Sequence, residues 1–336
     1  MNLIDMKVYE ILEKAALGNG LPDEDIEVLY GVNPTSREAA AIRQLGQELS
    51  MKAANGKAEV HAQIGLNATP CQYNCKFCSF AACAKLRKGK VESPKEEVLE
   101  YAKAYVEQGA NAIVCLCTGS YEFEKLIDMM GSVREIIPAD MPLLVNTDDF
   151  SLEQAHQLYA TGVNGIYHAA RMREGIDTGI PLQTRLNTFK NATEAGLTIS
   201  TCVEPVGPEH SPAEITKHTR ICIDINPVSA GIARRLNVPG TALVQHGQLL
   251  ETSFALLVAV YRLAAGTSLR LNCAVATPFT AASGANLAWA EVGSNPRDTK
   301  AKTEKGGKGV TVPFLQRIMR EGGWEVLEGP SFGWMR

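Results

Sequence analysis

From about Lys57 onward the chain alternates short apolar runs with longer amphipathic stretches, and this limits what it can fold into more than any other feature. Eight apolar runs read as strands, at 59–67, 112–118, 143–147, 165–170, 197–205, 230–237, 269–275 and 288–292. Between most of them lie helical patterns, at 94–108, 122–136, 152–160, 182–195 and 248–265. Strands separated in this way pair in parallel, because each helix carries the chain back along the outside of the sheet. Eight such units predict an α/β fold, a closed (β/α)8 TIM-type barrel that takes ligands at the C-terminal ends of its strands. An open doubly wound sheet is the competing arrangement, but no glycine-rich dinucleotide fingerprint follows the first strand.

Residues 1–56 read as an N-terminal helical cap, with periodic apolar segments at 8–17, 26–30 and 36–54. The last of these opens at Ser36-Arg37-Glu38-Ala39, a helix-start pattern. The barrel is expected over 57–336, a short C-terminal extension included, with no repeat or linker to divide it. One long irregular stretch, 293–309, carries Lys300, Lys302, Lys305 and Lys308. A loop of that length is either a solvated surface segment or a lid.

The charge balance, 33 Lys and Arg against 37 Asp and Glu, gives no pull toward nucleic acid or an acidic membrane. No apolar run approaches the roughly 20 residues needed to cross a bilayer. Met1 to Met6 has neither a basic start nor a signal-like apolar stretch, so the cytoplasm is the expected compartment. Thiols stay reduced there, so the nine cysteines are expected to be packing residues or metal ligands.

Three of them cluster. After the first strand comes Cys71-Gln72-Tyr73-Asn74-Cys75-Lys76-Phe77-Cys78, with C-x3-C-x2-C spacing. Three thiolates from one loop can hold three corners of a [4Fe–4S] cluster and leave the fourth iron open to a small bidentate molecule. Zinc is the alternative, with Cys83 or His61 as fourth ligand, but structural zinc usually takes two C-x2-C pairs, and no second pair follows.

With Phe77 before the third cysteine, C-x3-C-x-Φ-C resembles the signature of the radical S-adenosylmethionine (SAM) superfamily. The resemblance implies that SAM chelates the open iron and is cleaved reductively to a 5′-deoxyadenosyl radical, which abstracts hydrogen from a small-molecule substrate. It implies an electron donor such as flavodoxin or ferredoxin. It gives Phe77 a place beside the adenine. The turn Thr118-Gly119-Ser120-Tyr121-Glu122 after the second strand resembles the family's contact with the SAM amino group, and implies cofactor contacts for Thr118, Gly119, Ser120 and Glu122.

The chain is most similar to the biotin synthase group, which includes methylornithine synthases and hydrogenase-cofactor maturases. Ser283-Gly284-Ala285-Asn286, Asn295-Pro296-Arg297-Asp298, Arg270-Leu271-Asn272 and Pro239-Gly240-Thr241 carry that likeness, and about 225–336 forms the group's C-terminal segment. Biotin synthase holds an auxiliary, sulfur-donating cluster on three strand cysteines and an arginine. Cys117 and Arg270 match that set, while Leu144 and Ser200 stand where two cysteines would be, so this is not a standard biotin synthase. Cys115, Cys117 and Cys202 are expected on one inward face as a different auxiliary or substrate site, or as interior packing. Cys273, three residues from Arg270, is expected to face the opposite way.

Polar residues at strand ends complete the candidate set. Asn146, Thr147 and Asp148 end the third strand, and His168 and Arg171 the fourth, where relatives bind SAM. Glu204 and His210 follow the fifth, and Arg234 and Arg235 lie on the sixth. So many cations at one mouth suit an anionic substrate. The expected function is radical SAM chemistry in cofactor or small-metabolite biosynthesis without sulfur transfer. The alternatives are a sulfur-inserting enzyme with an atypical auxiliary cluster and a non-enzymatic iron–sulfur carrier.

Overall fold

The structure is a computed structural model that describes residues 4–293 and 310–334. Three helices come first, α1 (Met6–Ala16), α2 (Asp23–Tyr30) and α3 (Arg37–Ala53). The Asp5 carboxylate accepts the backbone N–H groups of Lys7 and Val8, and the Ser36 hydroxyl accepts that of Ala39, so α1 and α3 start on capped ends.

The barrel follows as β1 (Lys57–Gly65), α4 (Lys95–Glu107), β2 (Ala112–Leu116), α5 (Phe123–Ile136), β3 (Leu143–Asn146), α6 (Leu152–Ala160), β4 (Gly165–Tyr167), α7 (Leu182–Glu194) and β5 (Thr198–Ser200). It continues with β6 (Val203–Val206), α8 (Pro212–Asp224), β7 (Ser229–Arg234), α9 (Glu251–Ala265), β8 (Leu271–Cys273), α10 (Pro278–Ala281) and β9 (Leu287–Val292). Last come α11 (Val312–Glu321) and β10 (Glu325–Val326). The order β1-β2-β3-β4-β5-β7-β8-β9 is parallel throughout and returns from β9 to β1, so eight strands close the expected TIM-type barrel.

The run at 197–205 is not one strand. It breaks at Thr201 and Cys202, and β6 pairs with β7 through a register shift. Pro205 lacks an N–H for the ladder, so β6 cannot continue regularly. Helix α9 is buried almost all round, because α3 covers its outer side. The N-terminal helices therefore pack against the flank of the barrel, with Val8, Ile11, Ile26 and Ile42 joining Phe254, Val258 and Tyr261 in one apolar cluster. Residues 294–309 of the long irregular stretch, Asn295 to Asp298 included, lie outside the described residues.

The N-terminal end of the barrel is sealed. Arg270, just before β8, pairs with the buried Glu59 and donates to the Phe332 carbonyl at 2.6 Å and the Ser331 hydroxyl at 3.1 Å. Trp334 enters the barrel interior beside Val114, Leu144, Leu271 and Leu287. Its indole N–H donates to Ser331 Oγ at 2.9 Å.

Candidate active site

At the other end lies a cavity of about 410 Å³. Its upper wall is the loop after β1, folded on itself by two backbone bonds, Cys71 N–H to the Phe80 carbonyl (2.6 Å) and Ala82 N–H to the Cys71 carbonyl (3.0 Å). This closure turns Cys71, Cys75 and Cys78 into the same cavity, along with Phe77. Burial pushes the Cys75 thiol up to about 12, and the neighbouring Cys78 adds to it. Burial likewise raises Cys78 to about 11, with Cys71 contributing. The thiols thus lie within one another's electrostatic reach. Among the described residues, however, no three His, Cys, Asp or Glu side chains converge on a single metal ion. Cys83 is exposed, and His61 is paired with Glu59 deep in the barrel, so neither suggested zinc ligand joins the triad. Three thiols on one cavity wall are the donor set that a polynuclear cluster would use, each thiolate serving its own iron.

The turn after β2 forms the adjoining wall. A Cβ on Gly119 would fall 2.5 Å from the Tyr73 ring, so only glycine lets the two loops meet. Tyr73 donates its hydroxyl hydrogen to Asp148 at 2.6 Å. Thr118 lines the cavity and accepts from the Asn67 amide at 2.9 Å. The structure puts the other two candidates from this turn, Ser120 and Glu122, elsewhere. The Ser120 hydroxyl donates to the Pro70 carbonyl and braces the cysteine loop from behind. Glu122 points outward to Lys90 and Lys125.

Opposite, Asn146, His168, Arg171 and Glu204 all line the cavity. Glu204 accepts from both Arg171 and the Tyr167 hydroxyl. Burial works against the Arg171 cation, but Glu204 together with Tyr167, Glu174 and Cys75 outweighs it and the pKa is raised. Asp149 accepts from the His168 ring (3.1 Å), Arg185 (2.7 Å) and Thr188 (2.6 Å). Burial, with Arg185 and Arg171 nearby, holds the His168 imidazole below its usual range against the pull of Asp149. The ring is therefore a neutral donor near pH 7.

The cations at this mouth are matched. Arg234 pairs with Glu251 at 2.8 Å, Arg235 with Glu209, and Arg185 with Asp149. Among the described residues the expected excess of positive charge at this mouth is not there. His210 lies outside the cavity lining and accepts the Gly207 N–H at 2.9 Å.

The proposed sulfur group also divides. Cys115 packs outward among Ile113, Leu126 and Met129, because β2 turns Ala112, Val114 and Leu116 inward. Cys117, just past the strand end, does line the cavity, with its sulfur 3.2 Å from Thr147 Oγ1. Cys202 lines it too. Arg270 is at the sealed end, and Cys273, expected to face away, lines the cavity and accepts from the Trp289 indole N–H at 2.8 Å. The sequence reasoning also missed Tyr167, Arg185 and Trp289. Arg185 comes from helix α7, for which strand-end logic has no signal. Tyr73 was readable within the cysteine motif.

No family model matches the chain. It is 23% identical to a biotin synthase of Desulforudis audaxviator over 216 residues, 62% of this chain. The match spans 65% of that relative's length. The fold is similar to that of HydG, the [FeFe]-hydrogenase maturase from Carboxydothermus hydrogenoformans (TM-score 0.76, 15% identity, 95% of this chain and 79% of that one). It is also similar to methylornithine synthase, PylB (TM-score 0.73, 14% identity, 96% and 97%). At these identities the structural likeness shows the fold alone. The chain is thus similar in sequence to a biotin synthase and in fold to HydG and methylornithine synthase, and it carries the C-x3-C-x-Φ-C motif at the mouth of that fold.

Proposed function

We propose that this chain is a radical SAM enzyme acting on a small molecule, in cofactor or metabolite biosynthesis, without sulfur transfer. One observation carries the reading: Cys71, Cys75 and Cys78 open into a cavity whose other walls hold Phe77, Gly119, His168 and Arg171. These cysteines would hold a [4Fe–4S] cluster, which supplies reductive cleavage of SAM and so a 5′-deoxyadenosyl radical to take hydrogen from the substrate. The chain's own part is to bind, orient and exclude water. Gly119 leaves room beside Tyr73, the neutral His168 holds its position through Asp149, and the Arg171–Glu204 pair fixes the far wall. Trp334 and Arg270 close the opposite end, which supports confinement of a reactive species.

The absence of sulfur transfer is supported by Cys115 facing outward, Arg270 lying at the sealed end, and Leu144 and Ser200 occupying the other ligand positions. The reading includes a flavodoxin- or ferredoxin-type donor and a cytoplasmic setting. Among the described residues no helix is long and apolar enough to cross a membrane.

The test is anaerobic reconstitution of the wild type and of a variant with Cys71, Cys75 and Cys78 all changed to Ala. The wild type should bind iron and sulfide and, with SAM and dithionite, release methionine and 5′-deoxyadenosine. The variant should lose both properties. Iron binding with no SAM cleavage would turn the reading toward an iron–sulfur carrier. Iron and sulfide retained by the variant would revive the auxiliary-cluster reading.

A further inference from the structure

The strand register puts two cavity thiols side by side. Cys202 precedes Val203, which pairs with Ile232 on β7, and Gly231 pairs with Cys273 on β8. Cys202 and Cys273 thus flank Gly231 at one level of the barrel and both line the cavity. A Cβ on Gly231 would fall 1.8 Å from the Cys273 carbonyl oxygen, so β7 can carry no side chain between them. Cys273 is held by the Trp289 indole, whose ring packs edge-on to Tyr167 at 5.5 Å. Cys202 is 2% exposed, and its environment contains Glu204, Cys273 and Arg171. Arg171 in turn acts on Cys75 of the triad. The pair therefore belongs to the chamber that the cluster cysteines open into.

We propose that Cys202 and Cys273 are hydrogen-atom donors to a carbon radical formed in this cavity, an inference that rests on the radical SAM reading. In this step the S–H bond breaks homolytically and a C–H bond forms, leaving a thiyl on the cysteine. The thiyl returns to the thiol by taking one electron from a flavin- or iron–sulfur-class donor and one proton from solvent. The direction follows from bond strengths, since a thiol S–H is weaker than an aliphatic C–H. Burial keeps the Cys202 thiol protonated near neutral pH, and only the protonated form has a hydrogen atom to give. Cys222 and Cys115 are equally buried and do not line the cavity, so position separates the pair from ordinary core cysteines.

Two experiments test this. In the metal-free wild type at alkaline pH, a small thiol reagent such as methyl methanethiosulfonate should label Cys202 and Cys273 at least about tenfold faster than Cys115 and Cys222, read by peptide mass spectrometry. Equal rates would overturn the placement without involving the cluster.

In the second, the reconstituted enzyme is given SAM and dithionite in D2O with no added substrate. The 5′-deoxyadenosine should carry deuterium from the exchanged thiols. Cys202→Ser with Cys273→Ser keeps the side-chain size but replaces S–H by a much stronger O–H, and should lower the deuterated fraction about tenfold at unchanged iron content. Undeuterated product from the wild type would sink the inference and leave the radical reading intact. Undiminished deuterium in the double variant would also sink it, and would assign the donor to Cys117 or Tyr167. Absence of 5′-deoxyadenosine would overturn both readings together.

Discussion

The two ends of this barrel use similar side chains to opposite effect. At the N-terminal end, Glu59 receives His61 at 3.0 Å and Arg270, Arg270 stacks 4.0 Å over the Phe332 ring, and Trp334 fills the interior. Asn111 accepts the Val60 N–H and donates to the Leu327 and Gly329 carbonyls, tying the tail to the strands. Each of these groups is engaged within the chain. At the C-terminal end, arginine–carboxylate pairs also form, but they frame a cavity. Its thiols are raised by burial and by one another. A buried pair with its partners in place serves packing, whereas thiols gathered on a cavity wall and kept protonated by burial are not accounted for by packing.

That contrast can be broken experimentally. The largest effect should come from Trp334→Ala, which empties the barrel interior and should cost about 3–5 kcal/mol in urea unfolding. Iron content after reconstitution should stay unchanged. A variant that folds with full stability would show that the tail is not a plug. Next, Glu59→Gln leaves the Arg270 guanidinium without its carboxylate, at an expected cost of about 3 kcal/mol. The companion Glu204→Gln at the mouth should alter SAM binding, read by equilibrium dialysis, more than it alters stability.

A smaller effect should appear with pH. The His168, His210 and His218 rings are all held below 6.5 by burial, and His218 reaches about 4. Between those values the unfolded chain binds protons that the folded chain refuses, so stability is full above about pH 6.5 and falls as pH drops toward 4. Burial raises the Asp149 carboxyl, yet its bond from His168 and the His168 and Arg185 charges bring it below the usual range. This adds a loss of the same sign at still lower pH. Hydrogen exchange should show the His168 end opening before the Arg270 end as the solution is acidified, and simultaneous opening would refute the division. The smallest effect belongs to Cys115→Ala, about 1 kcal/mol of lost packing with unaltered iron content. A change in iron would return Cys115 to the site.

Much of this was legible beforehand because it is local. The Ser36 cap, the strand–helix alternation and the three cysteines of one loop each depend on residues close in the chain. Helix α8 was missed in the sequence, although Ser211, Pro212 and Glu214, a capping box with proline in the first turn, carry the local signal for it. The direction each strand faces was not legible. In a parallel barrel both strand faces are covered, one by helices and one by the interior, so a strand such as β2 is apolar throughout and carries no alternation to read. Nothing in Ala112 to Cys117 says that Cys115 points out, and only closure of β1 through β9 decides it.

The same holds for charge. Arg171, Arg185, Arg234 and Arg235 are visible as cations, but their carboxylate partners lie elsewhere in the chain, between 17 and 36 residues away for the pairs described. By itself the sequence determined the barrel, its helical flank and the gathering of Cys71, Cys75 and Cys78 on one loop, since propensity and spacing act over a few residues. Only the tertiary structure decided which cysteines share the cavity, which arginines are already paired and which end of the barrel is sealed, because those depend on strand register and on contacts between distant segments.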